Sequence, residues 1–269
     1  MKRKCNIALS FDDGRKDNYQ NVKDILLKND LTATFNITTA YVEKSISKDN
    51  TPCENDPMSV NEVIELSKVG FEIAAHGHNH LNTIEDIKKG VEILKGWLNL
   101  NDIDKIGFAS PCSQADANQI LQSQAEYNDI SIDYVRLGVR NNDTLVTKIK
   151  RKIAYYTGNK ALFIDVFKDS LLINDDKYII YSIPILHNTS VAQIKEIIDY
   201  AVEKNQDCVL MLHSIVAPDS VYYGDTWSWD VNRFEQLCGY LKELKDSNIV
   251  NVLDVKSLVS KKRRANEYE

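Results

Sequence analysis

The chain has no stretch approaching the ~20 consecutive apolar residues that a membrane-spanning helix requires. It has no paired cysteine spacing either. Cys5, Cys53, Cys112, Cys208 and Cys238 are odd in number, scattered and free of any C-x-x-C pattern. That argues against a disulfide framework and fits free thiols in a reducing compartment. Positive charge is not in excess: the formal net charge is −6, so nucleic acid is not an expected partner. The one basic run, Lys261 to Arg264, reads as a solvated tail. The opening MKRKCNIALSF has basic residues, but its apolar run is too short for a signal peptide and ends at Asp12. A soluble, cytoplasmic location is therefore expected. No linker, repeat or low-complexity segment divides the chain, and residues 1–269 are read as one domain.

What is present is alternation. The 269 residues are 43% apolar and 27% charged, an ordinary globular balance. NIALSF reads as a strand, and NYQNVKDILLKND then places Tyr19, Val22, Ile25 and Leu26 on one helical face. TATFNI, FEIAA, KIGFA, DYVRLG, KYIIYSIPIL, DCVLMLH and NIVNVL read as further strands. SVNEVIELSKVG opens with a capping box, Ser59 and Glu62, and stops at Gly70. TIEDIKKGVEILKGWL, SVAQIKEIIDYAVEKN and DVNRFEQLCGYLKELKD are further amphipathic helices. Residues 140–177 are less regular and yield no firm element. The pattern predicts an α/β fold with a mainly parallel sheet, open or closed into a barrel.

In such folds reactive groups collect at the C-terminal ends of the strands. Asp12 and Asp13 follow IALSF, and Ser110, Pro111 and Cys112 follow KIGFA. All five histidines also pass this test. His76, His78 and His80 follow FEIAA, His187 follows IIYSIPIL, and His213 ends CVLMLH. An Asp-Asp-Gly after a strand is also ordinary turn chemistry, but three histidines within five residues favour a metal site. Gly77 argues against a regular helix there, so His76 and His80 can converge on a loop while His78 points away. Two histidines and one carboxylate suit a catalytic zinc that keeps a position open for water. A second carboxylate left off the metal suits a general base, and His213 suits an acid. The aromatic loop VYYGDTWSWD offers Trp227 and Trp229 as substrate-binding residues at the catalytic face; packing of the next helix is the alternative for Trp229. His187 has the right location and no firm role.

SFDDG, HGHNH, FASPC and LMLH occur in the order, and at the kind of intervals, of the polysaccharide deacetylases (carbohydrate esterase family 4), which the chain resembles over roughly residues 5 to 260. The resemblance implies a distorted (β/α) barrel and a metal-dependent hydrolase removing acetyl groups from sugars. It implies Asp12 as general base, Asp13, His76 and His80 as metal ligands, and His213 as general acid. It implies that Leu212 helps shape the acetyl pocket and that the backbone N–H near Cys112 stabilises the oxyanion. Two departures stand out. The third motif reads Ala109, Ser110, Pro111, Cys112, without the family's arginine or aromatic; Arg136 or Arg140 is the candidate replacement for the charge. The family's Asp-x-x-Asp-Trp motif is not recognisable. Asp207 lies six residues before His213, about 20 Å along a strand, so Asp133, or a residue other than those singled out, is the candidate partner for the acid. The expected cofactor is a divalent metal, zinc by default, although cobalt, nickel, manganese or iron also suit this donor set. The expected substrate is an acetylated sugar or glycan precursor. A non-sugar amide or imide hydrolase on the same fold and a non-catalytic glycan-binding homologue are the rival readings.

Overall fold

The computed structural model describes residues 4–127, 130–140, 144–173 and 175–265. Its strands are β1 (Cys5–Phe11), β2 (Thr34–Ile37), β3 (Glu72–Ala75), β4 (Ile106–Ala109), β5 (Ile132–Arg136), β6 (Ile179–Ile180), β7 (Ile183–Pro184), β8 (Cys208–Leu212), β9 (Ser214–Val216), β10 (Ser228–Asp230) and β11 (Val250–Leu253). Its α-helices are α1 (Lys23–Lys28), α2 (Thr39–Val42), α3 (Val60–Lys68), α4 (Ile84–Leu98), α5 (Ala117–Tyr127), α6 (Leu145–Thr157), α7 (Lys160–Phe167), α8 (Val191–Lys204), α9 (Val231–Asp246) and α10 (Val255–Ala265). The Ser59–Glu62 capping box starts α3 as expected, and a second one, Ser190 with Gln193, starts α8. The irregular stretch after residue 140 holds α6 and α7.

One sheet runs β6-β5-β4-β3-β2-β1-β8-β7, every pairing parallel. A strand has two edges, and β8 occupies one edge of β1 from Ile7 to Phe11. β11 and β2 therefore share the other: β11 pairs with Cys5–Ala8 and β2 with Ser10–Phe11. The two ends of the path, β6 and β7, are separated by only Tyr181 and Ser182 in sequence. The sheet thus curls until its ends nearly meet, and the chain itself bridges the gap. This is the distorted (β/α) barrel expected.

Period-two alternation along β1 sorts its residues. Ile7, Leu9 and Phe11 join the large core shared with the helices. Ala8 joins a second cluster with Tyr134, Ile180 and Val209, closed by Leu172 and by Val255, Leu258 and Val259 of α10. Asn6, Ser10 and Asp12 share the parity of Ala8, and all three are buried. At the Asn6 end, Asp207 accepts from the Asn6 backbone and side-chain nitrogens and pairs with Lys262 at 3.1 Å. The basic run is therefore not a solvated tail. It lies on α10, with Lys262 only 3% exposed and Arg263 paired to Asp133 at 2.6 Å. The interior is a polar base, an apolar middle and a polar rim, and the rim carries the chemistry.

Candidate active site and metal centre

Asp12 and Asp13 follow β1 directly and are both buried. Asp13 (φ 79°) and Gly14 (φ 89°) adopt left-handed backbone, so the chain turns sharply there. The turn separates the two carboxylates. Asp13 Oδ1 lies 3.4 Å from His76 Nε2 and 3.6 Å from His80 Nε2. Asp12 faces the barrel axis, where Asn36 Nδ2 donates to its Oδ1 at 2.8 Å and Arg136, at the end of β5, forms an ion pair with the same oxygen. Arg140 goes elsewhere, to Asp176 and the ring of Tyr181. Of the two candidate arginines only Arg136 reaches the acid.

His76 Nδ1 lies 2.8 Å from the carbonyl of Ala109. A carbonyl only accepts, so Nδ1 carries a proton and Nε2 is the ring nitrogen that faces Asp13. His78 turns away, to Thr39 Oγ1 at 2.8 Å. The loop that carries the histidines is pinned by Asp86 in the first turn of α4, which accepts from the backbone N–H groups of Asn79 and Leu81. Gly77 is required there: with φ 77°, a Cβ would stand 2.7 Å from Asp86 Oδ2 and 2.9 Å from the Leu81 carbonyl. His80 (φ 59°) and Cys112 (φ 52°) are also left-handed. Such strain costs about 1–3 kcal/mol per residue and clusters at functional sites.

The donor set fits a divalent cation. One oxygen of Asp13 and one nitrogen each of His76 and His80 lie within 4.8 Å of one another. Two donors about 2.05 Å from a tetrahedral zinc stand about 3.3 Å apart. The observed 3.4 and 3.6 Å separations match that spacing.

A residue that the sequence reading passed over completes the group. Arg15 is 4% exposed. Its Nε and Nη2 donate to Asp13 Oδ2 at 2.8 and 2.6 Å, and its Nη1 donates to Ser214 Oγ at 2.8 Å. The fork occupies Oδ2 and leaves Oδ1 facing the histidines. Its sequence signal was a basic residue two places after Asp13. Burial alone would raise both carboxyls. Arg15 reverses this and holds Asp13 well below the usual carboxylate range, and Arg136, helped by His76 and His213, holds Asp12 below it.

His213 sits in the one-residue break between β8 and β9, with Nε2 3.8 Å from Asp12 Oδ2. Burial pushes its imidazole down to about 4. Its Nδ1 is buried without a hydrogen-bond partner, so none of the described residues stands in for the family's aspartate. Asp133 does not: it lies at the start of β5 and pairs with Arg263. Trp227 packs on His213 with ring centroids 4.3 Å apart. A cavity of ≈ 170 Å³ is lined by Asp12, Asp13, His76, His80, His213 and Trp227, together with Arg15, Cys112 and Met211. A larger cleft of ≈ 290 Å³ near Glu72 and Asp254 contains none of the histidines.

Three expectations are corrected. Leu212 does not face the cavity; it alternates with Met211 and His213, which do, and it is buried in the helix-facing core. Trp229 is 1% exposed and donates Nε1 to the Thr189 carbonyl at 2.8 Å, so it packs beneath the loop. His187 does not join the group; its ring meets Tyr223 edge-on and its carbonyl accepts from Arg233.

A parallel (β/α) barrel with an Asp–His–His cluster at its rim is the arrangement that the resemblance to the polysaccharide deacetylases implies. The fold recurs in a Mycobacterium smegmatis protein assigned to the polysaccharide deacetylases, with 10% identity, a TM-score of 0.61, and coverage of 99% of this chain and 92% of that one. It recurs in the peptidoglycan deacetylase PdaC of Bacillus subtilis, with 15% identity, a TM-score of 0.51, and coverage of 100% and 97%. At such identities the likeness concerns the fold alone. No curated protein matches the chain. The family model "Polysaccharide deacetylase" matches residues 2–152, more than half the sequence, and the chain belongs to that family.

Proposed function

We propose that the protein hydrolyses the N-acetyl group of an acetylated sugar or glycan precursor, releasing acetate and a free amine. One observation carries the reading: the adjacent acids are divided between two tasks. Asp13 converges with His76 and His80, whereas Asp12 is turned to Arg136 and His213. Asp13, His76 and His80 would hold a divalent cation, zinc by its donor set, which polarises the acetyl carbonyl and acidifies water.

Asp12 takes the proton of the attacking water. Arg136 and Asn36 fix that carboxylate and keep it ionised. The backbone N–H near Cys112 supports the developing oxyanion. His213 delivers a proton to the leaving nitrogen. A neutral resting imidazole suits this, because Asp12 Oδ2 lies 3.8 Å from its Nε2; the proton drawn from water is one short transfer from the group that must deliver it. Positioned acid–base groups of this kind contribute roughly 10²–10⁴-fold. Trp227, packed on His213 and facing the cavity, gives an apolar wall for the sugar. A pure glycan binder has no use for Arg136 held on Asp12, which favours an enzyme.

The test is acetate release from N-acetylated oligosaccharides by metal-loaded protein, beside a panel of non-sugar amides and cyclic imides. Asp12→Asn is expected to abolish release while metal content stays at the wild-type level. Asp13→Ala is expected to lose both. Glycan binding without turnover in metal-replete protein, or undiminished release by Asp12→Asn, refutes the proposal.

A further inference from the structure

Helix α6 presents two opposite faces, and only one is used inside the molecule. At 100° per residue, the inner face is formed by Thr147, Arg151, Ala154 and Tyr155. Ala154 and Tyr155 are buried. The Ala154 carbonyl accepts from Gln193 Nε2 at 2.9 Å, and the Tyr155 hydroxyl donates to the Pro184 carbonyl at 2.6 Å. Diametrically across, Leu145, Val146, Ile149, Ile153 and Tyr156 are exposed by 46–80%. These five are a third of the fifteen exposed large apolar side chains among the described residues. Scattered single residues of this kind are normal, whereas a stripe is not. This one runs along about 17 Å of helix.

Charge names the occupant. In a chain of net charge −6, the segment from Thr144 to Ile164 contains Lys148, Lys150, Arg151, Lys152 and Lys160 and no acid. Helical geometry puts Lys150 on one flank of the stripe and Lys148 and Lys152 on the other. Two acids on neighbouring helices pair with exposed lysines of this segment. Asp165 of α7 is held by Lys150 and Lys168, and Glu196 of α8 by Lys160. An apolar stripe flanked by lysines is the pattern of a helix lying in an anionic membrane interface. A two-fold pairing of α6 with a second copy would instead bring its lysines against each other. No described helix is long and apolar enough to cross a membrane, so α6 would lie on the bilayer.

We propose that the outer face of α6 is a peripheral docking surface for an anionic lipid bilayer. The assignment is independent of the catalytic reading.

The test is co-sedimentation of the full chain with phosphatidylglycerol or phosphatidylcholine vesicles in 0.1 M and 0.5 M NaCl. Binding to phosphatidylglycerol, weakened by salt and far weaker on phosphatidylcholine, is expected. Lys148→Gln with Lys152→Gln is expected to weaken binding about 25-fold, at about fivefold per lysine. Ile149→Gln with Ile153→Gln is expected to weaken it about 100-fold, at about tenfold per residue. Both pairs are expected to keep the wild-type circular dichroism spectrum and melting temperature. No binding to phosphatidylglycerol, or binding that neither pair weakens, overturns the proposal. So does a dimer in analytical ultracentrifugation that the isoleucine pair abolishes in a protein indifferent to vesicles, which would give the stripe to a second copy.

Discussion

Arg136→Met separates the two tasks assigned to the adjacent acids. Arg136 is 1% exposed; it pairs with Asp12 and donates to Ser182 Oγ at 3.2 Å. Methionine of similar reach fills the space and removes the charge. Asp12 then keeps one side-chain amide donor, Asn36, while buried beside ionised Asp13. Breaking one side of a buried pair costs about 3–5 kcal/mol. In a chain of this size that lowers the melting temperature by about 10 °C. On the proposed role of Asp12, acetate release should fall by about 10²-fold or more, the lower range for a general base that is no longer positioned. Metal binding should not change, because Asp13, His76 and the loop of His80 are fixed by Arg15, the Ala109 carbonyl and Asp86. The assays are a thermal melt, metal content by mass spectrometry and kcat/KM for acetate release. In an Asp12→Asn background the stability cost of Arg136→Met should shrink to about 1 kcal/mol or less, since the orphaned charge is gone. Wild-type kcat/KM in Arg136→Met, or activity lost only in proportion to lost metal, would refute the reasoning.

Three other outcomes follow from the same structure. Arg15→Met leaves Asp13 Oδ2 without its fork, so the metal-free protein should lose about 3 kcal/mol and regain most of it on zinc addition; equal melting shifts with and without metal would contradict this. Gly77→Ala forces a Cβ onto Asp86 and the Leu81 carbonyl, and metal affinity measured by competition should drop about 10–100-fold; unchanged affinity would show that the loop is not what aligns the histidines. Glu72, which accepts from Thr34, Tyr134 and the Lys256 backbone, has its carboxyl pushed by burial from 4.5 to about 7. Below pH 4.5 both folded and unfolded states hold the proton. Between 4.5 and 7 only the folded state does, so stability should fall by about 3 kcal/mol across that window. Glu72→Gln should remove that slope in urea titrations, and a slope that persists would assign it to other groups.

The ring of chemistry was legible because it is written at strand ends. An apolar run followed by Asp or His is a local signal, and the parallel barrel turns each such signal toward one rim. Leu212 and Met211 show a part that was legible and went unread: His213 fixes the parity of β8, and only Met211 shares it. Trp227 and Trp229 show a part that was not. Both have the same parity, and only the fold of the loop decides that one packs on His213 while the other goes beneath it. Lys262 could not be placed either, since its partner Asp207 lies 55 residues away at the far end of the barrel.

The arginines carry the argument furthest. Both acids are buried, adjacent and held ionised, which burial alone would oppose. The molecule resolves this with two guanidiniums of different origin. Arg15 is supplied locally, by a left-handed turn that folds the chain back onto Asp13. Arg136 is supplied by tertiary structure, from 124 residues along the chain. A single shared arginine would tie the proposed ligand and the proposed base together, so that any change at one altered the other. Separate arginines let Asp13 keep one oxygen toward the histidines while Asp12 keeps one toward His213. The motif position left empty by Ala109 is therefore no sign of a lost activity, because the charge that Asp12 needs arrives from the end of the next strand.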